Sequence, residues 1–151
     1  MDAKNEKIID EKDLAILETL RGDSSLSIQK IARKTGIPIA TVHHRLKRLL
    51  SDGIIKRFTI VLDKAKLGKR LVAHVLIKAA PKSDHIRLLE KLMRHDAVED
   101  GSAITGPFDV MIKIRVADVE ELDHFVLKFL RTFDEIATTE SMIAFRNITK
   151  E

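Results

Sequence analysis

Three observations in the sequence predict an α+β chain in two parts. Apolar stripes at helical spacing open it three times, and a glycine-centred turn at Gly36 separates the second from the third. From Leu71 onward, strand-like and helix-like stretches follow in the order βαββαβ. Within that order Val110, Ile112, Ile114 and Val116 alternate with Met111, Lys113 and Arg115, a clean period of two. The predicted architecture is a winged-type helix-turn-helix domain over residues 1–54, a basic strand linker over 55–70, and a ferredoxin-like βαββαβ domain over 71–151.

The helical part follows from local signals. Asp10 caps a first helix from Glu11 to Leu20, with Leu14, Leu17 and Leu20 as its stripe. Ser27 caps a second from Ile28 to Lys34, with Ile28, Ile31 and Ala32 inward. Gly36 stops it, and Pro38 suits the start of a third helix from Ala40 to Ser51. Val42, Leu46 and Leu49 carry the 3.6-residue period there, and Asp52-Gly53 turns the chain out. Small Ala32, Gly36 and β-branched Val42 stand at offsets that suit a close helix crossing and a tight turn. In the linker, Thr59, Val61 and Leu62 favour a strand, and Lys56, Arg57, Lys64, Lys66, Lys69 and Arg70 make it basic.

The second part is read the same way. Leu71–Ala79 is an aliphatic strand. Ile86, Leu89, Leu92 and Met93 define a helix, and Val98 to Thr105 is a strand weakened by Gly101. Gly106-Pro107 turns into the alternating strand. Asp118 and Glu121 form a capping-box-like pair before a helix with Leu122, Phe125, Val126, Phe129 and Leu130 on one face. Ala137 to Ile148 is the last strand. Leu76, Met142 and Ala144 are candidates for a second core between subunits, which predicts a dimer or larger assembly.

Charge separates the two parts. Of the 151 residues 33% are charged, with a formal net charge of +4. Residues 1–70 hold 16 Lys/Arg against 9 Asp/Glu, and residues 71–151 hold 11 against 14. The front half is therefore the one that meets a polyanion. There is no cysteine, which excludes disulfides and thiolate metal sites. A charged N-terminus and the lack of a long apolar run predict a soluble, cytoplasmic protein.

Opposite the apolar stripe of the third helix lie Ala40, His43, His44 and Lys47, flanked by Arg45 and Arg48. Such a face fits a major groove of double-stranded DNA. Imidazole can donate to or accept from base edges, and Lys47 can reach phosphate or guanine. Thr41 can bond a phosphate together with the helix N-terminus. Lys56 and Arg57 are placed for backbone phosphates. The bland alternative is a solvated charged face on a structural three-helix bundle. Adjacent His43 and His44 diverge around a helix, so no metal site is expected.

The order of these motifs resembles the Lrp/AsnC (leucine-responsive regulator, or feast/famine) family of transcription regulators. The stretch GIPIATVHHRLKRLLSDGIIKRFT resembles its recognition helix and following strand, GPFD at Gly106–Asp109 its Gly-x-Tyr-Asp turn, and TTESMIAF its last strand. The resemblance covers residues 9–150. It implies dimers, often assembled into octamers, on pseudo-palindromic promoter sites. It also implies an amino acid or similar small effector bound in the C-terminal domain. Carried over position by position, the effector residues are Thr105, Gly106, Phe108 and Asp109, with Thr139 and Ser141. Asp109 would accept from an α-amino group, and backbone N–H groups of the turn would hold a carboxylate, though Pro107 supplies none. Phe108 stands where the family has Tyr, which removes a hydroxyl from the turn, and Ile37-Pro38-Ile39 lacks the usual Ser cap. A plain hairpin whose backbone Asp109 satisfies is the simpler alternative for this region.

Two rival functions remain. One is an architectural DNA-binding module with little sequence preference. The other is an enzyme like the sirohaem decarboxylases, which share a similar two-domain architecture. Against it, His74, His85, His95 and His124 are scattered, no catalytic motif is present, and no cofactor is expected.

Overall fold

The computed structural model describes residues 9–148, which form two compact units divided between Val61 and Leu62. In the first, α1 spans Glu11–Gly22, α2 Ile28–Thr35 and α3 Ile39–Ser51. Asp10 caps α1 in a full capping box. Its carboxylate accepts from the Asp13 N–H at 3.0 Å, and the Asp13 carboxylate accepts from the Asp10 N–H at 3.1 Å. Ser27 caps α2 by accepting from the Lys30 N–H. Gly36, at φ 70°, ends α2 in the left-handed region that only glycine enters without strain.

The core of this unit is Ile16, Leu20, Ile31, Ala32, Ile37, Val42 and Leu49, with Leu17, Ile28 and Leu46 partly buried against it. This corrects the expected stripe of α1: Leu14 is exposed and Ile16 is buried. The apolar run from Leu14 to Leu17 permits several phases, and packing against α2 and α3 selects Ile16. A second correction concerns the linker. Residues 54–70 contain no strand, because Thr59–Leu62 find no ladder partner among the described residues and propensity alone does not hold a strand.

The second unit is a four-stranded antiparallel sheet in the order β2-β3-β1-β4, with β1 Leu71–Ala79, β2 Val98–Ala103, β3 Val110–Val116 and β4 Ile136–Ile143. Helix α4 spans His85–Leu92. Helix α5 spans Val119–His124 and runs on through a π-helical turn, Phe125–Phe129, and a 3₁₀ turn, Leu130–Thr132. This is the predicted βαββαβ order. The inward row of β3, Val110, Ile112, Ile114 and Val116, is fully buried and meets Val75, Ile77, Leu88, Leu92, Leu122, Phe125 and Leu130 in one core.

One helix phase and two strand ends differ from expectation. Leu88 rather than Ile86 or Met93 faces inward from α4, since both of the latter are exposed. Strand β2 stops at Ala103, where the chain begins a turn closed by the Ile104 N–H donating to the Asp109 carbonyl at 2.9 Å. Strand β4 stops at Ile143, opposite Ala73, and one further bond joins the Ala144 N–H to the Val72 carbonyl. Gly101 has a packing reason, since a Cβ there would stand 2.6 Å from the Leu89 side chain of α4. The face of the sheet opposite the helices carries Leu76 paired with Met111, and Met142, which is 45% exposed.

Candidate nucleic-acid interface and effector region

Helix α3 presents its outer face as the sequence predicts. Val42 and Leu49 are fully buried, and Ala40, His43, His44 and Lys47 are exposed on the other side, with Thr41 half-buried at the edge. The helix starts without a side-chain cap. Pro38 occupies the cap position, and its carbonyl takes the first helical bond, from the Val42 N–H at 3.0 Å. The leading N–H groups of α3 are thus not covered by a capping side chain and remain available to an anion.

Arg45 and Arg48 are placed differently from their neighbours. Both turn toward the N-terminus of α1. Arg45 Nη1 donates to both Asp10 carboxylate oxygens at 2.6 Å and to Asp13 Oδ1 at 3.0 Å, and Arg48 Nη2 donates to Asp13 Oδ2. The Asp13 side chain has no exposed surface. The Arg45 guanidinium and the Asp13 N–H hold the Asp10 carboxyl down at about 2, and the same two carboxylates raise Arg45 above its ordinary value. Sequence reasoning found the Asp10 cap but missed the buried Asp13. Its acidic side chain three residues after the cap was the available signal.

Lys56 and Arg57 are exposed on the irregular segment after α3. Arg57, Leu17, Leu20, Ile55 and Phe58 border a shallow hollow of about 230 Å³ on this unit.

In the second unit the effector residues fall into two groups, one in a turn and one on β4. Thr105, Gly106, Phe108 and Asp109 belong to the turn between β2 and β3, with Thr105 and Gly106 exposed and Phe108 half-buried. Gly106 sits at φ 123°. Asp109 is already engaged: Oδ2 accepts from the Ala79 N–H at 2.8 Å, Oδ1 from Lys78 Nζ at 3.1 Å, and its own N–H donates to the Ile77 carbonyl. The Ala79 N–H, then the Lys78 ammonium, hold its carboxyl below the ordinary range. Thr139 and Ser141 stand opposite Ile77 and Val75 on β4, on the helix-bearing face. The turn and these two residues therefore flank β1 from opposite sides. Thr139 borders a hollow of about 460 Å³, with Val126, Leu130, Arg131, Phe133 and Asp134. Among the described residues no cluster of His, Asp or Glu could hold a metal, and no helix is long and apolar enough to cross a membrane.

Comparison with known proteins places both units. Residues 9–56 match the winged helix-turn-helix DNA-binding family, and residues 72–151 match the Lrp/AsnC ligand binding domain. An uncharacterised HTH-type transcriptional regulator of Pyrococcus furiosus is 33% identical over 147 residues, 96% of this chain and 98% of that protein. AsnC of E. coli superposes with a TM-score of 0.87 at 28% identity, covering 95% of this chain and 97% of its own. A transcriptional regulator of Neisseria meningitidis solved as an L-Met complex has the same fold, with a TM-score of 0.86 at 21% identity over 95% of this chain and 94% of that one. With its helix-turn-helix in front and its βαββαβ unit behind, the chain belongs to the Lrp/AsnC family of DNA-binding transcription regulators.

Proposed function

We propose that this regulator reads promoter DNA with the outer face of α3, in the cytoplasm, as a homodimer or larger homo-oligomer. The carrying observation is the face itself: Ala40, His43, His44 and Lys47 are exposed together while Val42 and Leu49 anchor the helix from behind. His43 and His44 meet base edges, Lys47 meets phosphate or guanine, and Thr41 with the uncapped helix start holds a phosphate. Lys56 and Arg57 add backbone contacts that position without reading sequence. Lys47→Ala is expected to weaken binding to every duplex and to flatten the salt dependence by roughly one unit for one phosphate. An unchanged slope and affinity would remove Lys47 from the interface.

The second unit is proposed to bind a small effector, an amino acid or a relative of one, beside the Gly106–Asp109 turn and β4. The L-Met complex of the Neisseria protein supports this reading. Because the Asp109 carboxylate is taken up by Ala79 and Lys78, the backbone from Thr105 to Phe108 and the Thr139 side of β4 are the better contacts. Assembly through the open sheet face of Leu76, Met111 and Met142 ties effector to oligomer size. An effector acts only by preferring one assembly over another. Sedimentation of the chain with and without a panel of free amino acids tests both parts together. A dimer or larger species whose distribution shifts with one amino acid is expected. A monomer unmoved by any of them contradicts the proposal.

A further inference from the structure

We propose that Asp13, with Asp10, withholds Arg45 and Arg48 from the phosphate backbone, so that α3 holds every duplex more weakly and with a shallower salt dependence than these two guanidinium groups would otherwise allow. This rests on the reading that α3 enters the groove.

The geometry carries the inference. At 100° per residue, Arg48 lies 40° around α3 from His44, between the exposed face and the side that meets α1. Its side chain is 39% exposed, against 18% for Arg45 and none for Asp13. A guanidinium let go by Asp13 therefore swings toward the groove side. There its delocalised charge and five donors suit phosphate oxygens of any sequence.

The cost of the arrangement supports the same conclusion. Burying a carboxylate is expensive, and an apolar contact of similar volume between α1 and α3 would be about as stabilising. What a buried acid does that an apolar residue cannot is hold two cations in place. Phosphate contacts carry no sequence information, so holding two cations back lowers the affinity for every duplex alike and leaves the choice among sequences to the outer face of α3.

The test is Asp13→Asn in the full chain, isosteric but uncharged, titrated against a promoter fragment and against random duplex at several salt concentrations. The expected result is tighter binding to random duplex, by tenfold or more. Its salt slope should steepen by roughly one unit, since each phosphate engaged adds about 0.9 and Arg45 stays held by Asp10. Affinity for the promoter fragment should rise by a similar factor, since phosphate contacts are blind to sequence. Parallel loss of both affinities at constant slope, in a chain that still melts cooperatively, would reduce Asp13 to a structural tether and overturn the proposal. So would no change in either.

Should Asp13→Asn fail to fold, Arg48→Gln decides. A residue withheld from phosphate can lose its charge without effect on random-duplex affinity or slope, and a loss of about one slope unit would show that Arg48 touches DNA. Lys47→Ala separates this proposal from the reading beneath it. If Lys47→Ala weakens binding while the Asp13 and Arg48 variants behave as tethers or contacts, only the withholding idea fails. If Lys47→Ala is silent as well, the placement of α3 in the groove fails first.

Discussion

A chain carrying Ala40→Glu should lose its DNA affinity by two to three orders of magnitude while melting as the parent does. Ala40 is exposed, one turn ahead of His43 and His44 on the face of α3 that has no other task in the fold. Glutamate is a good helix former, and a carboxylate in the first turn is favoured by the helix dipole. The fold therefore tolerates the change within about 0.5 kcal/mol, as for most exposed sites. The duplex does not. On the proposed docking, the new charge arrives at the leading end of the helix, beside the phosphate held by the helix start, and like charges brought together in an interface cost several kcal/mol. At 1.4 kcal/mol per tenfold, that is roughly the loss stated. Fluorescence anisotropy with a labelled promoter fragment measures it, beside a thermal melt of the same sample. An unchanged affinity would exclude the leading end of α3 from the interface.

Leu49→Ala tests the other side of the same helix. Leu49 has no exposed surface and sits among Ile16, Ile31 and Val42. Truncating a buried leucine costs about 2–5 kcal/mol, the spread reflecting how far the neighbours can close the cavity. A unit of this size buries little surface and stands near the lower end of the usual 5–15 kcal/mol. At about 4–8 °C per kcal/mol, its melting transition should fall by roughly 8–40 °C. The sheet unit has its own core around Ile112 and Ile114 and should keep its transition. DNA binding should disappear at the new, lower temperature. A shift of only a few degrees would mean that Leu49 does not anchor α3 against α1 and α2.

The parts of the fold legible in the sequence were those set by neighbours in the chain. Gly36, Pro38 and Asp52-Gly53 bracket α3 because caps and turns are local chemistry, and they put its ends within a residue of where they lie. The period of two in Val110–Val116 likewise fixes β3 and its buried row. Phase was harder. Leu14, Ala15, Ile16 and Leu17 are all apolar, as are Ile86, Leu88, Leu89, Leu92 and Met93. In such runs several stripes satisfy helical spacing, and only packing chooses Ile16 and Leu88. The π-helical turn at Phe125–Phe129 leaves the spacing of Leu122, Phe125, Val126, Phe129 and Leu130 helical, so no pattern betrays it.

The site shows the same division. Ala40, His43, His44 and Lys47 were readable as an outward face because helical geometry fixes their direction. The hold of Asp10 and Asp13 on Arg45 and Arg48 spans 32 to 35 residues and leaves no local trace. The resemblance implies Asp109 as an acceptor for an effector's amino group, whereas its carboxylate accepts from Ala79 and Lys78 at the end of β1, partners 30 and 31 residues away that no local pattern marks. Thr59–Leu62 read as a strand because their side chains suit one, although the ladder partner a strand requires is absent among the described residues.

The most direct test of the central claim is a titration of the full chain against a labelled fragment of its own promoter, with excess random duplex, at two salt concentrations. The account predicts binding that survives the competitor and weakens as salt rises, and that Ala40→Glu abolishes. Equal displacement by promoter and random duplex would contradict it and leave a module that holds DNA without reading it.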